Sequence, residues 1–387
     1  MSLVENTMYH QDSGKSKKAQ LATSERCTGC SVCAAICPIN AIHMIEDDRT
    51  HFLYPQIDES ACIHCGKCSK VCPDIQKDVS KKNDVKEVYA ANSLASEIRL
   101  KSASGGIFGT LAKHVLKEHG AVVGVRYEGI DRCRHAVITE LEQLDMLCGT
   151  KYFQSELQDI FEEVKVISEQ ISGIILFCGT PCQIQAMKNY AHEEQFESRL
   201  LTVELLCRGV PSYYLQYKYV QMLELKYGKK VCQFQMKEKS GGWNNIGIIV
   251  TFEDGSTVYE KGLESAFGRS FMTSNLAIRE SCFHCNYKSI HRTGDITIGD
   301  FWGMKNSHLL DNKGTSAVLI NSSLGQAFFE KIRPFLDVQT STLWRVYNGN
   351  RPAFEMVYCN TEKRRQFWDY MNQKIDLEEV LQRLEKN

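Results

Sequence analysis

The chain has 387 residues, 43% of them apolar and 24% charged, with a formal net charge of −1. That length allows roughly two to three domains, the balance is that of a globular protein, and near-neutrality argues against a nucleic-acid partner held by a dense basic surface. No stretch approaches the ~18 apolar residues of a spanning helix, and the polar N-terminus lacks the apolar centre of a secretory signal, so a cytoplasmic protein with no membrane span is expected.

Seventeen cysteines are the compositional outlier. In so long a chain without an export signal they do not read as a disulfide framework. Residues 1–21 read as a disordered lead-in. Residues 22–78 then hold two runs, Cys27-x2-Cys30-x2-Cys33-x3-Cys37-Pro38 and Cys62-x2-Cys65-x2-Cys68-x3-Cys72-Pro73. This is the spacing of bacterial dicluster ferredoxins, in which the fourth cysteine of each run serves the other cluster. Cys27, Cys30, Cys33 and Cys72 are therefore expected to hold one 4Fe–4S cluster, and Cys62, Cys65, Cys68 and Cys37 the second. Three thiolates on a tight loop reach three irons of one cubane, while the longer spacing and the proline turn the fourth away. Gly29 and Gly66 are expected to keep side chains clear of the inorganic sulfurs. Structural zinc, with its long gap between cysteine pairs, fits the doubled run poorly. Between the runs, 41–45 and 51–55 read as a hairpin, giving an α+β ferredoxin-like dicluster module.

The polar segment Lys77–Lys86 reads as a linker. From 85 to 345 the pattern becomes mixed α/β. Ile107–Lys117 is an amphipathic helix ending at Gly120, and Ala121–Tyr127 a strand. Leu157, Ile160, Phe161, Val164 and Ile167 recur at helical spacing. Gly173–Cys178 is a buried strand leading through Thr180-Pro181 into a helix, and Arg199–Cys207 a strand leading into a tyrosine-rich helix. Ile246–Phe252 and Thr257–Glu260 form a hairpin. Asp295–Ile298 is a strand running into a Gly-Asp-Phe-Trp-Gly turn. Residues 346–387 read as a charged helical tail.

Cys182, at a strand-to-helix turn, Cys207, at a strand end, and the Cys282-x2-Cys285 pair form a second set. Their spacing alone fits a four-thiolate cluster, a zinc site or a redox dithiol. Ser104-Gly105-Gly106 precedes a helix, where backbone N–H groups and the helix dipole can take a pyrophosphate; an ordinary N-cap explains it about as well. No G-x-G-x-x-G follows a strand, so a Rossmann site is not expected. Cys133, Cys148, Cys232 and Cys359 lack motif context and read as small buried apolar residues. His114, His119 and His135 read as surface or satisfied histidines. Asp300, Trp302 and Gly242-Trp243 are exposed-turn candidates for shaping an active site.

In order, Ser104-Gly105-Gly106, Gly149-Thr150-Lys151-Tyr152, Gly179-Thr180-Pro181-Cys182-Gln183, Cys207-Arg208-Gly209-Val210-Pro211, Cys282-x2-Cys285 and Gly299-Asp300-Phe301-Trp302-Gly303 resemble the coenzyme F420 hydrogenase/dehydrogenase beta subunit family. The likeness includes its ferredoxin-fused bacterial members and 7-hydroxymethyl chlorophyll a reductase. The resemblance implies an FAD-binding α/β domain over 85–345 with a third 4Fe–4S cluster on Cys182, Cys207, Cys282 and Cys285. Cys178 stands where relatives often carry serine and is not counted as a ligand. Ser104, Gly105, Gly106, Lys151, Tyr152 and Thr180 become the expected FAD contacts. The implied activity is a flavin- and iron–sulfur-dependent oxidoreductase coupling a small-molecule or deazaflavin substrate to one-electron transfer, with ferredoxin or another redox protein as partner. The alternative is an electron-transfer subunit serving a partner enzyme that carries the substrate site.

Overall fold

A computed structural model describes residues 19–386 apart from 77–81, 158 and 240. Most of the predicted lead-in and the middle of the predicted linker lie outside the described residues. Residues 19–21 are packed: the Gln20 N–H donates to Ser69 Oγ at 3.0 Å, and Ala19 and Leu21 lie against the Cys33–Ile42–Cys68 cluster.

Strands β1 (Ile42–Glu46) and β2 (Leu53–Ile57) pair antiparallel, forming the hairpin expected between the cysteine runs. The two runs repeat each other in backbone as well as spacing. Gly29 and Ser31 in the first, and His64 and Gly66 in the second, occupy the left-handed region at matching positions. A short helix follows each, Val32–Ala35 and Lys67–Val71. Such loops fold three cysteines around one point.

Ten strands carry the sheets of the rest of the chain that bear on the site: β3 (Glu87–Ser93), β4 (Ala121–Glu128), β5 (Arg132–Ile138), β6 (Ile175–Gly179), β7 (Leu200–Leu205), β8 (Val231–Glu238), β9 (Gly247–Phe252), β10 (Thr257–Lys261), β11 (Ile296–Asp300) and β12 (Ser316–Ile320). With β13 (Leu336–Thr340) they form an eight-stranded sheet of order β13-β3-β12-β11-β7-β6-β4-β5 and a three-stranded sheet of order β10-β9-β8. Strands β4, β6, β7 and β11 run parallel. Because β12 opposes both β11 and β3, β3 points the same way. All five end at one edge, where open α/β sheets bind ligands.

Alternate residues of the parallel strands feed opposite layers, as the two-residue strand period requires. Val122, Leu176 and Val203 pack under helices 107–117 and 323–332. Val123, Ile175 and Phe177 pack against helices 160–170 and 181–193. Cys30, Val32, Ile36 and Val71 join this second layer, and Asn189 Nδ2 donates to Val71 O at 3.0 Å. The dicluster module is thus docked on the α/β body. Helices 361–371 and 377–386 do not form the separate tail expected from their charge. Phe367, Trp368, Met371, Leu377 and Val380 are buried with the three-stranded sheet, helix 213–227 and Phe52 of the hairpin loop.

Candidate functional site: three cysteine sets and a two-chambered cleft

Cys27, Cys30, Cys33 and Cys72 lie near enough to influence one another. Burial pushes the Cys30 thiol up to about 12, and neighbouring Cys72 and Cys27 add to it. Burial also raises Cys33, with Cys30, Cys27 and Cys72 adding. Cys37, Cys62, Cys65 and Cys68 line one small cavity of the second loop, and Cys65 is exposed there. No three His, Cys, Asp or Glu among the described residues converge as ligands of one ion. A cubane instead spreads its thiolates, one to each iron. Gly29 also makes room for neighbouring side chains: a Cβ there would stand 2.6 Å from Arg279 Nη1 and 2.8 Å from Gln154 Nε2.

The scattered cysteines also come together. Burial holds Cys182 well above its ordinary range, and Cys285, Cys207 and Cys282 add to the effect. Burial, then Cys282 and Cys285, push Cys207 up to about 12. Burial and Cys285 push Cys282 up to about 11. Thr180 Oγ1 lies 3.2 Å from Cys182 Sγ. The buried phenol of Tyr287 is raised by burial and then by Cys182, Cys30, Cys285 and Cys72, so it faces thiols of both this set and the first. Such convergence of thiols from three distant segments fits a cluster site, as does the mixed set in the module.

At the carboxyl edge of the sheet lies a cleft with two chambers, of ≈ 310 and ≈ 580 Å³. The inner chamber is lined by Ser104, Gly106, Lys151, Tyr152 and Thr180, and by Cys207 of the third set. Gly106 is left-handed (φ 91) and opens helix 107–117, whose N-terminus no side chain caps, so its first-turn N–H groups remain available to an anion. Gly105 is the exception among the expected contacts. Its N–H is spent on Ser316 Oγ at 2.9 Å, and a Cβ there would meet Ala91 O at 2.3 Å; this glycine is needed for packing against the sheet, not for a ligand. Lys151 Nζ donates to Cys148 O at 2.7 Å, and burial brings its pKa down to about 8. An uncapped helix start, a glycine turn and a buried ammonium fit a nucleotide cofactor.

The outer chamber shares Tyr152, Leu206, Arg208, Lys237, Asp300 and Asn350 with the inner one and adds Met236, Phe267, Met272 and Trp302. Lys237 pairs with Asp300 at this partition. Burial opposes the Lys237 charge, but Asp300 and then Tyr152 outweigh it and raise its pKa. Lys237 carried no sequence signal, being one lysine in an irregular strand; its left-handed backbone (φ 55) at a bulge aims it inward. Lys239, brought down to about 8 chiefly by burial, donates to Ser104 O at 3.3 Å from behind the glycine turn.

The remaining candidates divide. Asp300 closes strand β11 and is not on an exposed turn. Trp243 is buried and stacks on Trp302 with centroids 4.3 Å apart and planes 3° apart. Cys133 is buried as expected, whereas Cys232 is exposed and Cys148 lines the cleft. His135 is a satisfied core histidine between Ser155 Oγ (3.0 Å) and Cys178 O (3.1 Å). No helix among the described residues is long and apolar enough to cross a membrane.

A family model for the C terminus of the coenzyme F420 hydrogenase/dehydrogenase beta subunit matches residues 173–345. Two models of 4Fe–4S dicluster domains match residues 26–74 and 54–99. An uncharacterized protein of Methanocaldococcus jannaschii is 23% identical over 358 residues, 82% of this chain and 89% of its own length. The F subunit of the F420H2 dehydrogenase of Methanosarcina mazei is 22% identical over 365 residues, 90% and 92% of the respective chains. A chain from the F420-reducing NiFe hydrogenase complex of Methanosarcina barkeri matches with a TM-score of 0.49 at 19% identity, over 71% of this chain and 90% of that one.

Proposed function

The chain belongs to the coenzyme F420 hydrogenase/dehydrogenase beta subunit family and is an iron–sulfur electron-transfer protein; from that premise we propose that it is an oxidoreductase using FAD in the inner chamber and three 4Fe–4S clusters. FAD, when bound, supplies the exchange between two-electron and one-electron chemistry. The observation that carries the reading is Cys207, which belongs to the third thiol set and also lines the inner chamber.

On this reading Gly106, the start of helix 107–117 and Lys151 hold the anionic part of the cofactor. Lys237 and Asp300, at the partition, fix charge beside a substrate seated in the outer chamber. Cys182, Cys207, Cys282 and Cys285 hold the third cluster, and Tyr287 fills the gap to the first. Cys37, Cys62, Cys65 and Cys68 hold the second at the surface, where a ferredoxin or another redox protein exchanges electrons. The cysteines, none in a disulfide among the described residues, suit a reducing cytoplasm.

One observation favours a second reading. The Methanosarcina mazei relative is one subunit of a dehydrogenase, so this chain would serve as an electron-transfer subunit beside a partner bearing the substrate site. The test is anaerobic turnover by the isolated chain, with a reduced deazaflavin as two-electron donor and a one-electron dye as acceptor. Turnover supports the enzyme. Full cofactor loading without turnover, together with a stable complex on pull-down, supports the subunit.

A further inference from the structure

Arg279 is 1% exposed. Its Nε donates to Cys27 O at 2.7 Å, Nη2 to Leu53 O at 2.8 Å and Nη1 to Gln154 Oε1 at 3.1 Å. Every one of these acceptors is neutral. Among the described residues no carboxylate forms an ion pair with it, whereas the equally buried Arg292 has Glu204. A buried guanidinium without a counter-charge is strongly unfavourable. The anion beside it is the first cysteine set: Nη2 stands 3.8 Å from Cys27 Sγ. Phe52 and Tyr54, with centroids 5.0 and 4.3 Å from Arg279 Cζ, cover its face.

We propose that Arg279 is the counter-charge of the cluster held by Cys27, Cys30, Cys33 and Cys72, and that it raises that cluster's reduction potential. The inference rests on the reading that this set holds a cluster. Reduction makes the cluster and its thiolates more negative, so a buried positive charge and an N–H···S contact both favour the reduced form. The two runs differ at the position that admits the arginine. Gly29 leaves room for it, and the second run carries His64 there. The Cys282 N–H donates to Arg279 O at 3.0 Å, so the arginine borders the third set as well. It therefore sits where electrons pass between the third set and the first, and biases them toward the first.

The test is a redox titration of the anaerobically purified full chain, followed by EPR, with iron content measured on each sample. The variants are Arg279→Gln, Arg279→Met, Arg279→Lys and Gln154→Ala. Gln154→Ala loosens the same junction, where Gln154 Nε2 donates to Thr28 O at 2.9 Å, without changing charge. Expected is a downward shift of one titration step in both neutral variants of at least about tenfold in the one-electron equilibrium, ~59 mV. Arg279→Lys restores most of it, and Gln154→Ala leaves the potential in place. Full iron with an unmoved potential overturns the inference alone, as does an equal shift in Arg279→Lys or Gln154→Ala. Iron lost from both neutral variants makes the arginine a fastener and also overturns it. A wild-type chain without iron overturns the cluster reading itself.

Discussion

Lys237 and Asp300 face each other across the partition of the cleft, the lysine from the irregular end of β8 and the aspartate from the last position of β11. The Lys237 side chain is buried and that of Asp300 partly so, and Asp300 Oδ1 has no protein partner. Lys237→Met leaves the carboxylate uncompensated and is expected to cost about 3–5 kcal/mol. Denaturant unfolding checks this, with the Lys237→Met/Asp300→Leu double variant recovering most of the loss. A single-variant cost under about 1 kcal/mol would contradict it.

Cys282→Ser is expected to remove about four irons, one 4Fe–4S cluster, while the ferredoxin-type signals persist. Iron analysis and EPR of the anaerobic protein check it. Unchanged iron would rule out the third site.

Lys151→Ala is expected to weaken flavin retention about tenfold or more, the scale of one hydrogen bond to a charged group, ~1.5–3 kcal/mol. Ultrafiltration of the flavin-loaded chain against free FAD measures it. An unchanged affinity would reject the contact while leaving the clusters untouched.

His135 is buried as the neutral imidazole, its pKa brought down to about 4 mainly by burial. Between pH 4 and 6.5 the unfolded chain binds the proton that the folded chain refuses, so stability falls as pH drops through that window, by about 3 kcal/mol in full. His135→Gln keeps a donor and an acceptor without titrating. The difference between wild type and variant in urea midpoint at pH 7 and pH 5 isolates the histidine. A constant difference would contradict the assignment.

The cysteine runs and the helices and strands of strong periodicity were legible because their signals are local. Spacing specified the hairpin, the Ile107–Lys117 helix and the Thr180-Pro181 helix start. The third thiol set was visible only as separate fragments, since Cys182, Cys207 and Cys282 meet through sheet topology, which no local pattern encodes. Lys237 and Arg279 gave no signal for the same reason: each owes its position to a partner far away in sequence. The burial of Phe367 and Trp368 was hidden by the charged residues around them, which form the outer face of an amphipathic helix. Gly105 misled because a glycine needed for packing against Ala91 reads like one needed for a phosphate.

The proposed function requires the cleft and all three thiol sets to be loaded together, and cofactor content measures that. The full chain, purified without oxygen, should carry about twelve irons, three clusters of four, and about one noncovalently bound FAD released on denaturation. About eight irons and no flavin absorbance would contradict it, leaving a two-cluster electron carrier with an empty cleft.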